Sequence, residues 1–113
     1  MHEYSIVQAL LERVALEAKR HGASAVAEVS VAVGRDSGVD PGLLATAFEL
    51  VRAGTVARDA RLTLREVEPR WVCSDCARSI AAGAVLRCAD CGAPAKLIEG
   101  DELVLERLEL EVA

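Results

Sequence analysis

The sequence predicts an α+β fold: two helices packed on a three-stranded, mainly antiparallel sheet, with a small cysteine-bearing module inserted into one connection. Three observations carry that prediction. Apolar residues recur with a helical period in two segments and with a period of two in three others, and four cysteines interrupt the interval between the second and last strands. Two helices and three half-apolar strands must cover one another's faces, so helices layered over a sheet are the economical arrangement.

The first helix takes most of residues 3–20. Ile6, Val7, Leu10, Leu11, Val14, Ala15 and Ala18 form its apolar stripe, Glu12, Arg13, Glu17 and Arg20 its polar face, and Gly22 its stop. In AVAEVSVAVG, residues 25–34, Val29, Val31 and Val33 alternate with Glu28 and Ser30, the pattern of a half-buried strand. Residues 34–38 then turn the chain. Asp40 stands where an N-cap belongs and Pro41 suits the first position of a second helix. Leu43, Leu44, Ala47, Phe48 and Val51 make its buried stripe, and Gly54 closes it. The second strand is RLTLREV, residues 61–67. The last is ELVLERLELEV, whose inward positions change parity between Leu103/Leu105 and Leu108/Leu110/Val112, predicting a bulge near Glu106–Arg107.

About half of the 113 residues are apolar, enough for a core. A net charge of −5 and only Tyr4, Phe48 and Trp71 as aromatics argue against a nucleic-acid binder, which needs a basic face and stacking rings. Glu3, Glu12 and Arg13 interrupt the first apolar pattern, so neither a leader peptide nor a membrane span is expected, and the protein reads as cytoplasmic.

A reducing compartment makes a disulfide framework a poor explanation of Cys73, Cys76, Cys88 and Cys91. Their C-x2-C-x11-C-x2-C order is a metal-site spacing: each pair curls into a knuckle, and two facing knuckles offer four thiolates to one tetrahedral Zn(II). Residues 71–99 are too few to bury a core of their own, so zinc is the expected organiser of a zinc-ribbon module. Four sulfur ligands close the coordination shell and leave the site doubly negative. Arg70, Arg78, Arg87 and Lys96 read as its counter-charge rather than as a docking surface. A rubredoxin-like iron site would use the same donors, and a thioredoxin-like motif would explain only one of the two pairs.

Met1-His2-Glu3 offers a different donor set: a free α-amine, the His2 imidazole and the backbone amides of residues 2 and 3. The chelate rings these close put four nitrogens in one plane, the preference of Ni(II) or Cu(II) rather than Zn(II). The first N–H groups of a helix have no intrahelical acceptor, which leaves those amides available, and deprotonated amides would offset the helix dipole's opposition to a cation. A residue as bulky as His2 protects the initiator methionine from removal. Taken alone, however, His2 reads as a solvated terminal residue, Glu3 as an acid in a first helical turn, and Asp40 as an N-cap.

Together, MHEYSIVQALLERV, VSVAVGRDSGVDP, LLATAFELV and the late paired cysteines resemble the HypA/HybF family of hydrogenase nickel-incorporation proteins, in order and over essentially the whole chain. The resemblance implies a nickel-binding α/β domain from residues 1–70 and 100–113 and a zinc-ribbon domain from 71–99. It implies a nickel metallochaperone rather than an enzyme, delivering Ni(II) to the large subunit of a [NiFe]-hydrogenase during maturation. Its partners would be a nickel-handling GTPase of the HypB type, the hydrogenase large subunit and urease maturation proteins, with no nucleic acid or membrane, and the chain itself a monomer or homodimer. Nickel binding falls on Met1, His2 and Glu3, with Asp40 a further ligand or a group beside the ligands; Cys73, Cys76, Cys88 and Cys91 hold zinc. The chain has no histidine after His21, which excludes the relatives' variant in which a zinc-module histidine approaches nickel. The competing expectation is a zinc-ribbon protein-protein adaptor without nickel transfer.

Overall fold

The computed structural model describes residues 2–81, 83 and 85–112. Helix α1 (His2–Arg20) turns Val7, Leu10, Leu11, Val14 and Ala18 inward, and the stop at Gly22 has the left-handed backbone, φ +65°, that glycine adopts without strain. Strand β1 (Ala23–Gly34) follows and becomes the centre of a three-stranded sheet. Helix α2 (Pro41–Val51) begins as the sequence predicts: the Asp40 carboxylate accepts the Leu43 N–H at 3.0 Å and Pro41 opens the first turn. Its end differs. The cap is Arg52, whose N–H reaches the Phe48 carbonyl, and Gly54 lies in the turn beyond.

Strand β2 (Arg61–Val67) pairs with β1 in parallel and β6 (Leu103–Val112) pairs with it antiparallel, giving the order β2-β1-β6. The sheet is therefore mixed: α2 carries the chain back to the starting end of β1, as a crossover helix between parallel strands does. The register moves from Ser30↔Arg107 to Val31↔Leu105, leaving Glu106 looped out at the predicted bulge. The loop-out keeps Leu103, Leu105, Leu108 and Leu110 against Val33, Val31, Val29 and Val26. These residues join both helices in one core around Phe48, Leu44, Val7 and Val14. Leu43 departs from its expected place. It is 55% exposed, because the buried arc of α2 is narrower than the apolar pattern and ends at Leu44, Ala47 and Phe48.

Between β2 and β6 the chain forms a second sheet of β3 (Arg70–Cys73), β4 (Ser79–Ile80) and β5 (Ala95–Glu99), ordered β4-β3-β5 and antiparallel throughout. The molecule is long, 57 × 28 × 17 Å, with a radius of gyration of 17.8 Å against about 13 Å for a single compact body of this length. The loop after β1 ties both connections together. Gly34 N–H donates to the Glu102 carbonyl, Arg35 N–H to Val67 and Asp36 N–H to Gly100, each at 2.8 Å. Gly34 and Gly100 touch there so closely that a Cβ on Gly34 would lie 2.3 Å from the Gly100 oxygen.

Candidate metal centre

The two cysteine pairs fold into matching knuckles. The Cys73 N–H donates to the Arg78 carbonyl and accepts, at its own carbonyl, the Ala77 N–H; the Cys88 N–H donates to Ala93, and its carbonyl accepts the Gly92 N–H. The fourth residue on from the leading cysteine must be left-handed in both: Ala77 has φ +61° and Gly92 φ +73°. This geometry aims N–H groups at the leading sulfur, with those of Asp75 and Cys76 each 3.4 Å from Cys73 Sγ. The N–H groups of Cys76 and then Asp75 lower the Cys73 thiol to about 6, and those of Cys91 and then Asp90 lower Cys88 in the same way. Although the Ala93 N–H draws the facing Cys91 thiol down, its hydrogen bond with Cys73 and burial outweigh that and push it up to about 12.

All four sulfurs lie within 4.8 Å of one another, with Cys73 and Cys91 at 3.3 Å and Cys76 and Cys88 at 3.8 Å. Bonds of about 2.3 Å to a tetrahedral Zn(II) put neighbouring sulfurs about 3.8 Å apart, so the cluster fits such an ion once sulfur–sulfur separations change by up to about 1 Å. Cys73 and Cys88 are buried while Cys76 and Cys91 face outward. No disulfide joins any of them. Three of the four bases expected as counter-charge are engaged with other groups of the module rather than with the sulfurs. Arg78 bridges the knuckles to Asp90 at 2.8 Å, Arg87 donates to the Gly92 carbonyl at 2.6 Å, and Arg70 pairs with Glu99 at 3.3 Å.

Ala77 offers a direct check on this geometry. Glycine there should relieve a left-handed strain of roughly 1–2 kcal/mol at a cost of about 0.4–1 kcal/mol in unfolded-state entropy. An Ala77→Gly protein should therefore hold zinc a few-fold more tightly in a chelator competition; weaker binding would mean the first knuckle does not take this turn.

At the other end of the molecule, Glu3 is buried, 9% exposed, and its Oε2 accepts the Asp40 N–H at 3.2 Å. That hydrogen bond, followed by one from its own N–H, lowers the Glu3 carboxyl below the ordinary value, and the charge of His2 adds to the effect. Two of the sequence-predicted residues, Glu3 and Asp40, thus meet although far apart in the chain. His2 stands exposed beside them at the start of α1. Met1, the remaining member of that set, lies outside the described residues. The burial of Glu3 and the Gly34–Gly100 contact are absent from the sequence reading; an acid one turn from an apolar stripe and glycines at the ends of two strands are the only signals of them.

Comparison with known proteins gives a consistent result. The family model for hydrogenase/urease nickel incorporation, metallochaperone, hypA, matches residues 1–110. The chain is 38% identical over 114 residues to the hydrogenase maturation factor HypA of Aquifex aeolicus, covering 99% of each, and 32% identical over 128 residues to that of Methanosarcina barkeri, covering 98% of this chain and 96% of the relative. The solution structure of the nickel metallochaperone HypA from Helicobacter pylori superposes with a TM-score of 0.77 at 29% identity over 98% of both chains. A second solution structure of a HypA protein does so with 0.83 at 30%, over 100% of this chain and 98% of the other.

Proposed function

Since the chain belongs to the HypA family of hydrogenase/urease nickel-incorporation metallochaperones, we propose that it binds Ni(II) at its amino terminus and delivers it to the large subunit of a [NiFe]-hydrogenase during maturation. The observation that carries this reading is the Glu3–Asp40 hydrogen bond, which fixes the start of α1 against the cap of α2 and leaves His2 exposed. An exposed imidazole on a held backbone supplies part of a planar nitrogen set, completed by the α-amine of Met1, the amide of residue 2 and the amide of residue 3 once its N–H leaves the Glu3 carboxylate. Asp40 lies beside this set, its Oδ1 accepting the Leu43 N–H and its own N–H held by Glu3, as a further ligand through its other oxygen or as a group that supports the ligands. Nickel is cargo here, and an accessible terminal site lets a recipient's ligands replace the donors one at a time.

Residues 1–70 and 100–113 then form the nickel-carrying domain and 71–99 the zinc domain, in which Cys73, Cys76, Cys88 and Cys91 hold a structural Zn(II). Zinc supplies the cross-link that this segment's own side chains do not. A GTPase of the HypB type is the partner expected to assist transfer. Among the described residues no helix is long and apolar enough to cross a membrane, and a cytoplasmic carrier suits a cytoplasmic recipient.

The test is a nickel titration of untagged, zinc-loaded protein beside a version with one extra amino-terminal glycine. The untagged protein should bind one Ni(II) with the absorption of a planar nitrogen complex, and the extended protein and a His2→Ala variant should lose it while keeping zinc and helix content. Equal nickel binding by all three would overturn the amino-terminal site.

A further inference from the structure

The four sulfurs of the cysteine cluster are not equivalent. Cys73 and Cys88, which lead the two knuckles, are buried, whereas Cys76 and Cys91 are exposed. Cys91 meets Cys73 at 3.3 Å and Cys76 meets Cys88 at 3.8 Å, so each close pair sets an exposed sulfur of one knuckle against a buried sulfur of the other. The N–H groups of Asp75 and Cys76 engage the buried Cys73 sulfur. Arg70, Arg78 and Arg87 direct their guanidinium groups to Glu99, Asp90 and the Gly92 carbonyl and leave the thiolates their charge. Zn(II) has no redox chemistry of its own, so an oxidant reaching this site takes electrons from sulfur. Susceptibility follows thiolate character and exposure, which places first attack on an outward-facing sulfur.

We propose that the module is a reversible redox clasp operated by hydrogen peroxide, in which Cys91 and Cys73 close a disulfide across the two knuckles and zinc is released. This rests on the reading of the four sulfurs as a zinc site and is independent of where nickel binds. The exposed Cys91 sulfur attacks one peroxide oxygen; the S–O bond forms as the O–O bond breaks, and the departing hydroxide takes a proton to become water. The Cys73 sulfur then attacks the Cys91 sulfur; the S–S bond forms, the S–O bond breaks, and the second hydroxide leaves as water. Two thiolates have given two electrons to one peroxide, with two protons drawn from solvent. From 3.3 Å this pair closes to the disulfide length of about 2.05 Å by a movement of about 1.2 Å, and the 3.8 Å pair has further to go. Cys76 and Cys88 are then half of a ligand set and do not retain the ion. The disulfide still tethers one knuckle to the other, so reduction returns four thiolates to an assembled site. The loosening stays within the module, because the core around Phe48, Leu44 and Val14 includes none of its described residues.

The test uses wild-type, zinc-loaded protein freed of reductant and treated with a roughly tenfold excess of hydrogen peroxide at neutral pH. Zinc release is followed with a chromogenic chelator, remaining thiols are alkylated, and the chain is cut with trypsin. Cleavage after Arg70, Arg78, Arg87 and Lys96 puts Cys73 and Cys76 on one peptide, residues 71–78, and Cys88 and Cys91 on another, residues 88–96. Only a bond between the knuckles joins the two. Zinc should fall from one per chain toward zero, the two peptides should appear joined through Cys73 and Cys91 with Cys76 and Cys88 alkylated, and helix ellipticity should persist. Dithiothreitol with added zinc should restore the zinc content and separate the peptides. Zinc absent before any oxidant would remove the zinc reading and the clasp with it. The clasp alone is overturned if zinc stays bound under peroxide. It is equally overturned if zinc leaves while the peptides stay separate, their sulfurs paired within each knuckle or carried on to sulfinic acid, or if reductant and zinc fail to rebuild the site.

Discussion

A Cys73→Ser variant is expected to lose stoichiometric zinc and, with it, the fold of residues 70–99, while both helices and the β2-β1-β6 sheet persist. The reason lies in what fills the module. Among its described residues none belongs to the apolar cluster that unites the rest of the chain, and the only buried apolar side chains are Cys73 and Cys88. The sulfurs occupy the place of a core. A sheet of strands with four, two and five residues does not hold itself. Structural zinc contributes on the order of 10–16 kcal/mol at neutral pH, more than the whole stability of most small domains. Serine removes one ligand and the sulfur that collects the Asp75 and Cys76 N–H groups. Zinc content by atomic emission should fall from one per chain toward zero, and amide exchange in residues 70–99 should reach the rate of unstructured peptide. Retention of zinc with a protected module would show that three sulfurs and another donor suffice. Acid should act in the same direction as the mutation, because protons compete with zinc for thiolates and the affinity falls with pH.

The second large effect is expected at Gly100. A Cβ there would stand 2.5 Å from Pro69 Cα and 2.8 Å from the Glu68 oxygen, both backbone, and the residue has φ +100°. Neither the neighbour nor the conformation can yield cheaply, so Gly100→Ala should cost about 2–4 kcal/mol. Gly38→Ala separates the two causes. That glycine has φ +78° but open space where its Cβ would go, and its replacement should cost only the left-handed strain, about 1–2 kcal/mol. Urea unfolding followed by the fluorescence of Trp71, which sits in β3 next to the contact, should show the larger drop for Gly100→Ala. Equal drops would mean that the connections do not approach so closely in solution.

Much of this was legible before any coordinates. The stripe of α1, the Asp40–Pro41 start of α2, the alternation of β1 and β2, and the bulge at Glu106 are each written in residues that are neighbours in sequence. So is the four-cysteine cluster, because two short spacings bring each pair to one knuckle and a single metal geometry brings the knuckles together. Leu43 shows where a local pattern stops deciding burial. Periodicity assigns it to the buried stripe, but the width of the buried arc depends on how closely α1 and β2 approach α2, and they leave Leu43 in water.

Local patterns alone therefore determined the two helices, the start of α2, strands β1, β2 and β6, the bulge and the clustering of the four cysteines, since each follows from backbone period, capping or ligand spacing within a few residues. Only the tertiary structure decided that β1 and β2 run parallel, that the Glu3 carboxylate holds the Asp40 N–H, that Gly34 and Gly100 meet backbone to backbone, and that β6 is left as an open edge. These contacts join segments whose order in space is set by chain crossing and mutual burial. Many pairings satisfy the same local pattern, and the burial of one shared core selects among them.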